Sequence, residues 1–107
     1  MSRKDQQPVT EIIDQERELG LDELCRLCNL DTELMIEWVE EGVAEPRSGQ
    51  GRDWRFSARQ LRRVTTARRL QRDLEVDTGD LPLVLDLLEE LDQLRRQVRM
   101  LQRMLDD

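Results

Sequence analysis

Histidine and tyrosine are absent from this 107-residue chain, which contains one Phe, two Trp and two Cys. The lack of histidine excludes a catalytic imidazole, and Cys25 and Cys28 alone cannot complete a four-ligand zinc site within one chain. The sequence also has no glycine-rich phosphate loop, so we expect neither an enzyme nor a cofactor. No run approaches the roughly 20 apolar residues of a membrane span, and no apolar stretch follows the N-terminus. We therefore expect a cytoplasmic protein.

Charge is distributed along the chain in three blocks. Residues 1–45 hold thirteen acids and four bases, residues 46–72 hold one acid and nine bases, and residues 73–107 hold ten acids and four bases. The blocks carry −9, +8 and −6, which sum to the net charge of −7. An acidic protein binds polyanions poorly, because Lys and Arg supply most non-specific affinity for phosphates. The basic central block keeps nucleic-acid binding open.

A helix-turn-helix is predicted between residues 21 and 42. Apolar residues at helical spacing predict a first helix from Leu21 to Cys28, which Asn29 should end. Asp31 is placed to cap a second helix, which Gly42 should terminate. The apolar stripe of this second helix consists of Leu34, Met35, Trp38 and Val39. Its charged residues are all acidic, so it should repel phosphate: Glu33, Glu37, Glu40 and Glu41.

The cysteines and tryptophans each admit two interpretations. Cys25 and Cys28 lie inside the first helix on its apolar face, which favours buried structural thiols over an intermolecular zinc or disulfide link. Trp38 and Trp54 could anchor a partner, because tryptophan is enriched at binding hot spots. Both lie on the apolar side of their elements in a chain with few other large residues, and this favours the core.

A short wing and a third helix should follow. Residues 1–8 are polar and are expected to be disordered, whereas Val9 to Ile13 alternate like a strand that could pair with the wing, with a helical turn as the alternative. The Gly- and Ser-rich run from Arg47 to Arg52 predicts a loop, and Trp54 to Phe56 alternate as in a strand. Ser57 is a candidate cap for a helix that reaches roughly Leu74. The apolar positions of this helix are Leu61, Val64, Ala67, Leu70 and Leu74.

The last 30 residues predict a long coiled-coil helix. Thr78 to Asp80 should break the third helix, and Pro82 suits the first position of the next one. The following apolar residues have alternating steps of three and four, as in heptads: Val84, Leu87, Leu91, Leu94, Val98, Leu101 and Leu105. This seam indicates a homodimer or a partner helix, and the alternative is a solvated helix. Glu90 and Arg95 suit parallel pairing, with antiparallel pairing as the alternative, so the orientation of the two helices stays open.

The central arginines have three possible roles. They could contact nucleic acid from the wing and the third helix, cover a solvated helix face, or pair with the acidic first segment. The acidic second helix argues against the first role. These residues are Arg47, Arg52, Arg55, Arg59, Arg62, Arg63, Arg68, Arg69 and Arg72.

The order of helix, turn, helix and wing, with Gly42 to Arg47, Trp54 to Ser57 and Leu61, resembles the MerR-type winged-helix domain over residues 9–74. The short chain, the acidic second helix, the segment from Leu70 to Asp77 and the leucine-rich tail resemble the CbpM family of chaperone modulators. The resemblance implies a mainly α fold with a small β wing and a long C-terminal helix. We expect a disordered N-terminus over residues 1–8, a winged-helix domain over 9–77, and a dimerisation or partner-binding helix over 78–107.

The CbpM resemblance implies an inhibitor that binds the J-domain of a CbpA-type, DnaJ-like co-chaperone and keeps it from working with DnaK. J-domains carry a basic helix, so an acidic surface should bind it, with Leu81, Leu83 and Leu88 supplying apolar contacts. Such acids could instead solvate the last helix and complement its dipole. A MerR-type DNA-binding regulator is the alternative function. The candidate partner-binding residues are Asp73, Asp77, Asp80, Asp86, Glu89, Glu90 and Leu88.

Overall fold

The computed structural model describes residues 17–106, which form a mainly α-helical protein with a two-stranded sheet. Single turns of 3-10 helix at Gly51–Asp53 and Thr78–Asp80 precede the second strand and the last helix. This architecture confirms the expected winged helix-turn-helix with a long C-terminal helix. The principal elements are β1 (Glu18–Gly20), α1 (Leu21–Cys28), α2 (Thr32–Glu40), β2 (Arg55–Ser57), α3 (Ala58–Leu74) and α4 (Leu81–Asp106).

The helix-turn-helix ends are fixed by the residues that the sequence singles out. Asn29 adopts a left-handed conformation with φ 58°, and the N–H of Leu30 donates to the Cys25 carbonyl at 2.9 Å. The Asp31 carboxylate accepts a 2.9 Å bond from the Leu34 N–H and so caps α2. Gly42 has φ 85°, a conformation that glycine adopts at little cost, directly after the end of this helix. All three predicted signals are confirmed.

The wing attaches to the domain through β2. This strand pairs antiparallel with β1, with Leu19 opposite Phe56, and an isolated bridge joins Ser48 to Arg55. Gly49 has φ 84°, and a Cβ at that position would collide with the Asp53 carbonyl, so the wing loop requires glycine there. The strand predicted over Val9–Ile13 and the disorder predicted over 1–8 lie outside the described residues.

One apolar core joins the sheet, the helix-turn-helix, α3 and the first turns of α4. Trp38 is fully buried, and the partly buried Trp54 packs against the core with its ring edge-on to Phe56 at a centroid distance of 6.1 Å. The tryptophans therefore contribute to packing, as the sequence favoured. The buried apolar residues are Leu19, Leu21, Leu24, Cys25, Cys28, Met35, Trp38, Val43, Ala44, Phe56, Ala58, Leu61, Val64, Ala67, Leu81 and Leu85.

Two details of the later helices differ from expectation. Leu74 is 69% exposed, because the apolar face of α3 that meets the core ends near Leu70. Helix α4 begins at Leu81, one residue before Pro82, and Leu81 is fully buried, so it cannot offer the partner contact expected of it. With 26 residues, α4 spans about 39 Å. None of the helices in residues 17–106 has the combination of length and hydropathy that crossing a bilayer requires.

Candidate partner-binding site

Arg63 joins three elements at the start of α4. Its Nε donates to the Val43 carbonyl at 2.7 Å and one terminal nitrogen donates to the Gly42 carbonyl at 3.3 Å, just beyond α2. The other terminal nitrogen pairs with Asp86 Oδ1 and Glu89 Oε2, both at 3.0 Å. The Arg63 side chain is only 10% exposed. Because guanidinium presents five donors in a fixed plane, a single arginine can hold the end of α2 and the first turns of α4 together.

The two acids that Arg63 holds remain accessible. The side chains of Asp86 and Glu89 are 67% and 45% exposed. A carboxylate has two oxygens and can accept further bonds while one oxygen is engaged. The ion pairs therefore orient these acids without removing them from solvent.

A groove of about 940 Å³ runs between α3 and α4. One wall consists of α3 residues Ala58, Arg59, Arg62, Arg63 and Thr66. The other wall consists of α4 residues Leu85, Asp86, Leu88, Glu89, Glu90, Asp92, Gln93 and Arg96. The groove thus has arginines on one side and mainly acids on the other, with the partly exposed Leu88 among the acids.

The predicted partner-binding residues fall into two groups. Asp86, Leu88, Glu89 and Glu90 line this groove together, and Leu88 is 40% exposed within it. The second group does not line it but lies at the junction between α3 and α4. Asp73 pairs there with Arg72 at 3.1 Å, while Asp77 and Asp80 are exposed at the two ends of the 3-10 turn that precedes α4. The structure thus gathers four of the seven predicted residues in one concave surface.

Several central arginines have structural roles. Arg68 donates to the Asn29 carbonyl at the end of α1, just as Arg63 does to the carbonyls beyond α2. Positive charge at a helix C-terminus is favourable because of the helix dipole. Arg47 lies 3.5 Å from Glu18, which is the predicted type of pairing with the acidic first segment. These three side chains are therefore engaged within the chain.

The helix-turn-helix surface is acidic on its outer side. The four glutamates of α2 and its C-terminal cap, Glu33, Glu37, Glu40 and Glu41, are all exposed. No basic side chain of α2 offsets them, since the helix sequence from Thr32 to Glu40 contains no Lys or Arg. This surface should repel a phosphate backbone.

The predicted heptad seam is exposed along α4. The exposed fraction is 56% at Leu87, 41% at Leu91, 58% at Leu101 and 85% at Leu105. Leu94 and Val98 are also exposed, whereas Val84 is half-buried near the start of the helix. Single exposed apolar residues are ordinary, but a continuous apolar stripe marks an interaction surface.

The two cysteines are buried thiols. Burial raises the pKa of Cys25 and raises that of Cys28 to about 11, and Cys28 Sγ lies 3.7 Å from Thr65 Oγ1. A raised pKa lowers the thiolate fraction and hence reactivity near neutral pH. Among residues 17–106, no group of three or more Cys, Asp or Glu side chains is arranged to hold a metal.

The sequence alone did not identify Arg59, Arg62 and Arg63 as lining the same surface as the α4 acids. The pattern of the third helix placed these arginines on α3, and the pattern of the last helix placed Asp86 and Glu89 on α4. Neither pattern tells how the two helices cross. That relation follows from the burial of Leu81 and Leu85 against the core.

Comparison with known proteins agrees with this architecture. The family described as MerR HTH family regulatory protein matches residues 19–103. The Chaperone modulatory protein CbpM of Coxiella burnetii is 34% identical over 92 residues, which cover 86% of this chain and 87% of that protein. The proteins of the same name from Pseudomonas putida and Pseudomonas entomophila are each 33% identical over 88 residues, covering 82% of this chain and 87% of theirs. The chain belongs to the CbpM family of MerR-type helix-turn-helix proteins.

Proposed function

We propose that this protein is a chaperone modulator, as its relatives are named, and that it binds the J-domain of a CbpA-type, DnaJ-like co-chaperone. Binding would block the cooperation of that co-chaperone with DnaK. The main structural support is the accessible set of Asp86, Glu89 and Glu90 beside Leu88 in the α3–α4 groove. Acids arranged in this way complement the basic helix of a J-domain.

The physical basis of the contact has two parts. Complementary charge speeds association and selects the partner, while a partly exposed apolar residue such as Leu88 contributes affinity when it is covered. Glu90 forms no hydrogen bond or ion pair within residues 17–106, so it is available to a cation of the partner. Asp73, Asp77 and Asp80 would extend the acidic surface towards the α3–α4 junction.

DNA binding, the alternative function, has less support. The exposed glutamates of α2 stand where a basic recognition helix would be needed. Arg63 and Arg68, two of the arginines that could have contacted phosphates, bind carbonyl groups at helix ends. A protein partner therefore fits this surface better than a duplex.

We further propose a cytoplasmic homodimer that forms through the exposed seam of α4. Pairing two copies would cover Leu87, Leu91, Leu94, Val98, Leu101 and Leu105, which the domain leaves exposed. In sedimentation equilibrium, the wild type should behave as a dimer and Leu94→Glu as a monomer, because a carboxylate in the seam would be desolvated. Met100→Glu is the matched control, because it places the same charge at an exposed apolar residue away from the seam. A monomeric wild type, or a dimer unaffected by Leu94→Glu, would contradict this arrangement.

Titration with an isolated J-domain of a CbpA-type co-chaperone tests the function. Calorimetry at low and moderate salt should give micromolar or tighter binding that weakens as salt screens the charges, and no binding of a DNA duplex run in parallel. Glu90→Gln should weaken binding, whereas Glu33→Gln, which removes one charge from α2, should not. Duplex binding without J-domain binding would contradict the proposal and support a transcription regulator.

A further inference from the structure

Arg59 and Arg62 are two cations of the α3–α4 groove that have no partner in the described part of the chain. Both are exposed on the α3 wall and are three residues apart, hence neighbours on one helix face. Neither forms a hydrogen bond or ion pair with another residue in the range 17–106. Arg63 beside them is satisfied by two carbonyls and two carboxylates.

The acids across the groove do not neutralise these two arginines. Asp86 and Glu89 are held by Arg63, and Asp92 is 2.6 Å from Arg96 of its own helix. The groove therefore has two walls of opposite sign that remain separate. A uniformly basic helix would be attracted by the α4 wall and repelled by the α3 wall.

We propose that the groove is a bipolar docking site for a helical segment of the J-domain that directs cations towards α4 and at least one carboxylate towards Arg59 and Arg62. This inference rests on the proposed function and adds a second chemical requirement for the partner. Arginine is suited to this role because its planar fork binds a carboxylate through two parallel hydrogen bonds. Leu88, which is 40% exposed on the α4 wall, would contact the body of the helix.

The double variant Arg59→Ala/Arg62→Ala tests the proposal. It should bind the J-domain about tenfold more weakly than wild type, since two exposed charge pairs are lost. The matched control is Arg26→Ala/Arg52→Ala, which removes two exposed arginines that do not line the groove. This control should change affinity less than twofold. Circular dichroism would show that both variants keep the wild-type helix content.

If the acids of α4 alone attract a basic helix, the double variant should bind the J-domain as tightly as wild type or more tightly. Either result, with wild-type binding intact, would overturn the bipolar groove and leave the proposed function standing. Absence of J-domain binding by the wild type would instead overturn the proposed function and this inference with it.

A double-mutant cycle identifies the carboxylate. Each Asp and Glu of the J-domain is replaced by its amide and measured against Arg59→Ala/Arg62→Ala. We expect a coupling of threefold or more at one or two neighbouring carboxylates, of the size that exposed charge pairs give. Strict additivity at every carboxylate would contradict the proposed contact.

Discussion

Leu85 and Leu87 are two residues apart on the same helix, yet their surroundings are opposite. Leu85 is 1% exposed in the core of the domain, whereas Leu87 is 56% exposed on the seam of α4. The same contrast holds for the helix as a whole. Its first turns are fixed by the buried Leu81 and Leu85 and by the contacts of Arg63. Every residue from Asp86 to Asp106 is exposed.

The contrast separates the two tasks of α4. Its start belongs to the folding unit, and its remainder leaves leucines and charges exposed, where we propose that other molecules bind. Leucine is used in both regions, so residue type does not distinguish them, and position relative to the domain does. Stability of the domain and association with partners should therefore respond to different substitutions.

The largest expected difference is between alanine substitutions at these two leucines. Leu85→Ala should lower the free energy of unfolding by about 3 kcal/mol, because it leaves a cavity in the core. Leu87→Ala should leave the unfolding of the dilute protein nearly unchanged but weaken its self-association. Urea denaturation at low and high protein concentration measures both effects. Equal destabilisation by the two variants at low concentration would show that the seam also belongs to the core.

The buried cysteines predict an alkaline loss of stability in the packed region. The pKa of Cys28 is raised from 9.0 to about 11, so the folded state holds this proton more tightly than the unfolded state does. The protonated thiol therefore contributes to the free energy of unfolding below pH 9. This contribution, about 2 to 3 kcal/mol, should be lost as pH rises through 11. The chain has no Tyr and a single Lys, so few other groups titrate there.

Denaturant titrations from pH 8 to 11 would measure this slope. The variant Cys28→Ala is the control, and its stability should fall less over the same range because the titrating thiol is gone. An identical slope in both proteins would mean that the Cys28 thiol is not responsible.

Alanine substitutions at two glycines test how much space the backbone leaves in the wing and in the turn that precedes α4. Gly49→Ala should destabilise the protein by about 2 kcal/mol, because its φ of 84° strains any other residue and a Cβ would collide with Asp53. Gly79→Ala should change stability by less than about 0.5 kcal/mol, since a Cβ there meets nothing within 4 Å. Thermal unfolding of both variants measures the difference. A tolerated Gly49→Ala would contradict the tight wing loop.

The smallest expected effect concerns the junction between the two regions. Arg63→Gln should cost about 1 to 2 kcal/mol, because it breaks bonds to Gly42, Val43, Asp86 and Glu89. Amide exchange should become faster in the first turns of α4, where the side chain holds the helix. The neighbouring Arg62→Gln is the control and should leave stability and exchange unchanged. Unchanged exchange in Arg63→Gln would show that Leu81 and Leu85 alone anchor α4.

How far the sequence predicts this structure depends on the range of the interactions. Asn29, Asp31 and Gly42 act within a few residues of themselves, so their capping roles could be predicted and are confirmed. The contacts of Arg63 reach carbonyls and carboxylates 20 to 26 residues away. Such pairings depend on how α3 crosses α4, which no local pattern specifies.

The candidate site shows the same division. Periodicity placed Leu88 off the seam, and the structure finds it partly exposed in the groove. Leu81 was predicted as an apolar partner contact because it lies near the acids in sequence, but the structure buries it in the core. The acids were predicted as one surface, and the structure gathers only those of α4 in the groove, because Asp73, Asp77 and Asp80 lie at the junction.

The most direct test of the central claim is ATP hydrolysis by DnaK stimulated by the J-domain of a CbpA-type co-chaperone. Adding this protein should abolish the stimulation once it reaches the J-domain concentration, while leaving the basal hydrolysis by DnaK unchanged. Glu90→Gln should require a higher concentration for the same effect, and Glu33→Gln should match the wild type. Full stimulation in the presence of excess folded protein would contradict a role as inhibitor of the J-domain.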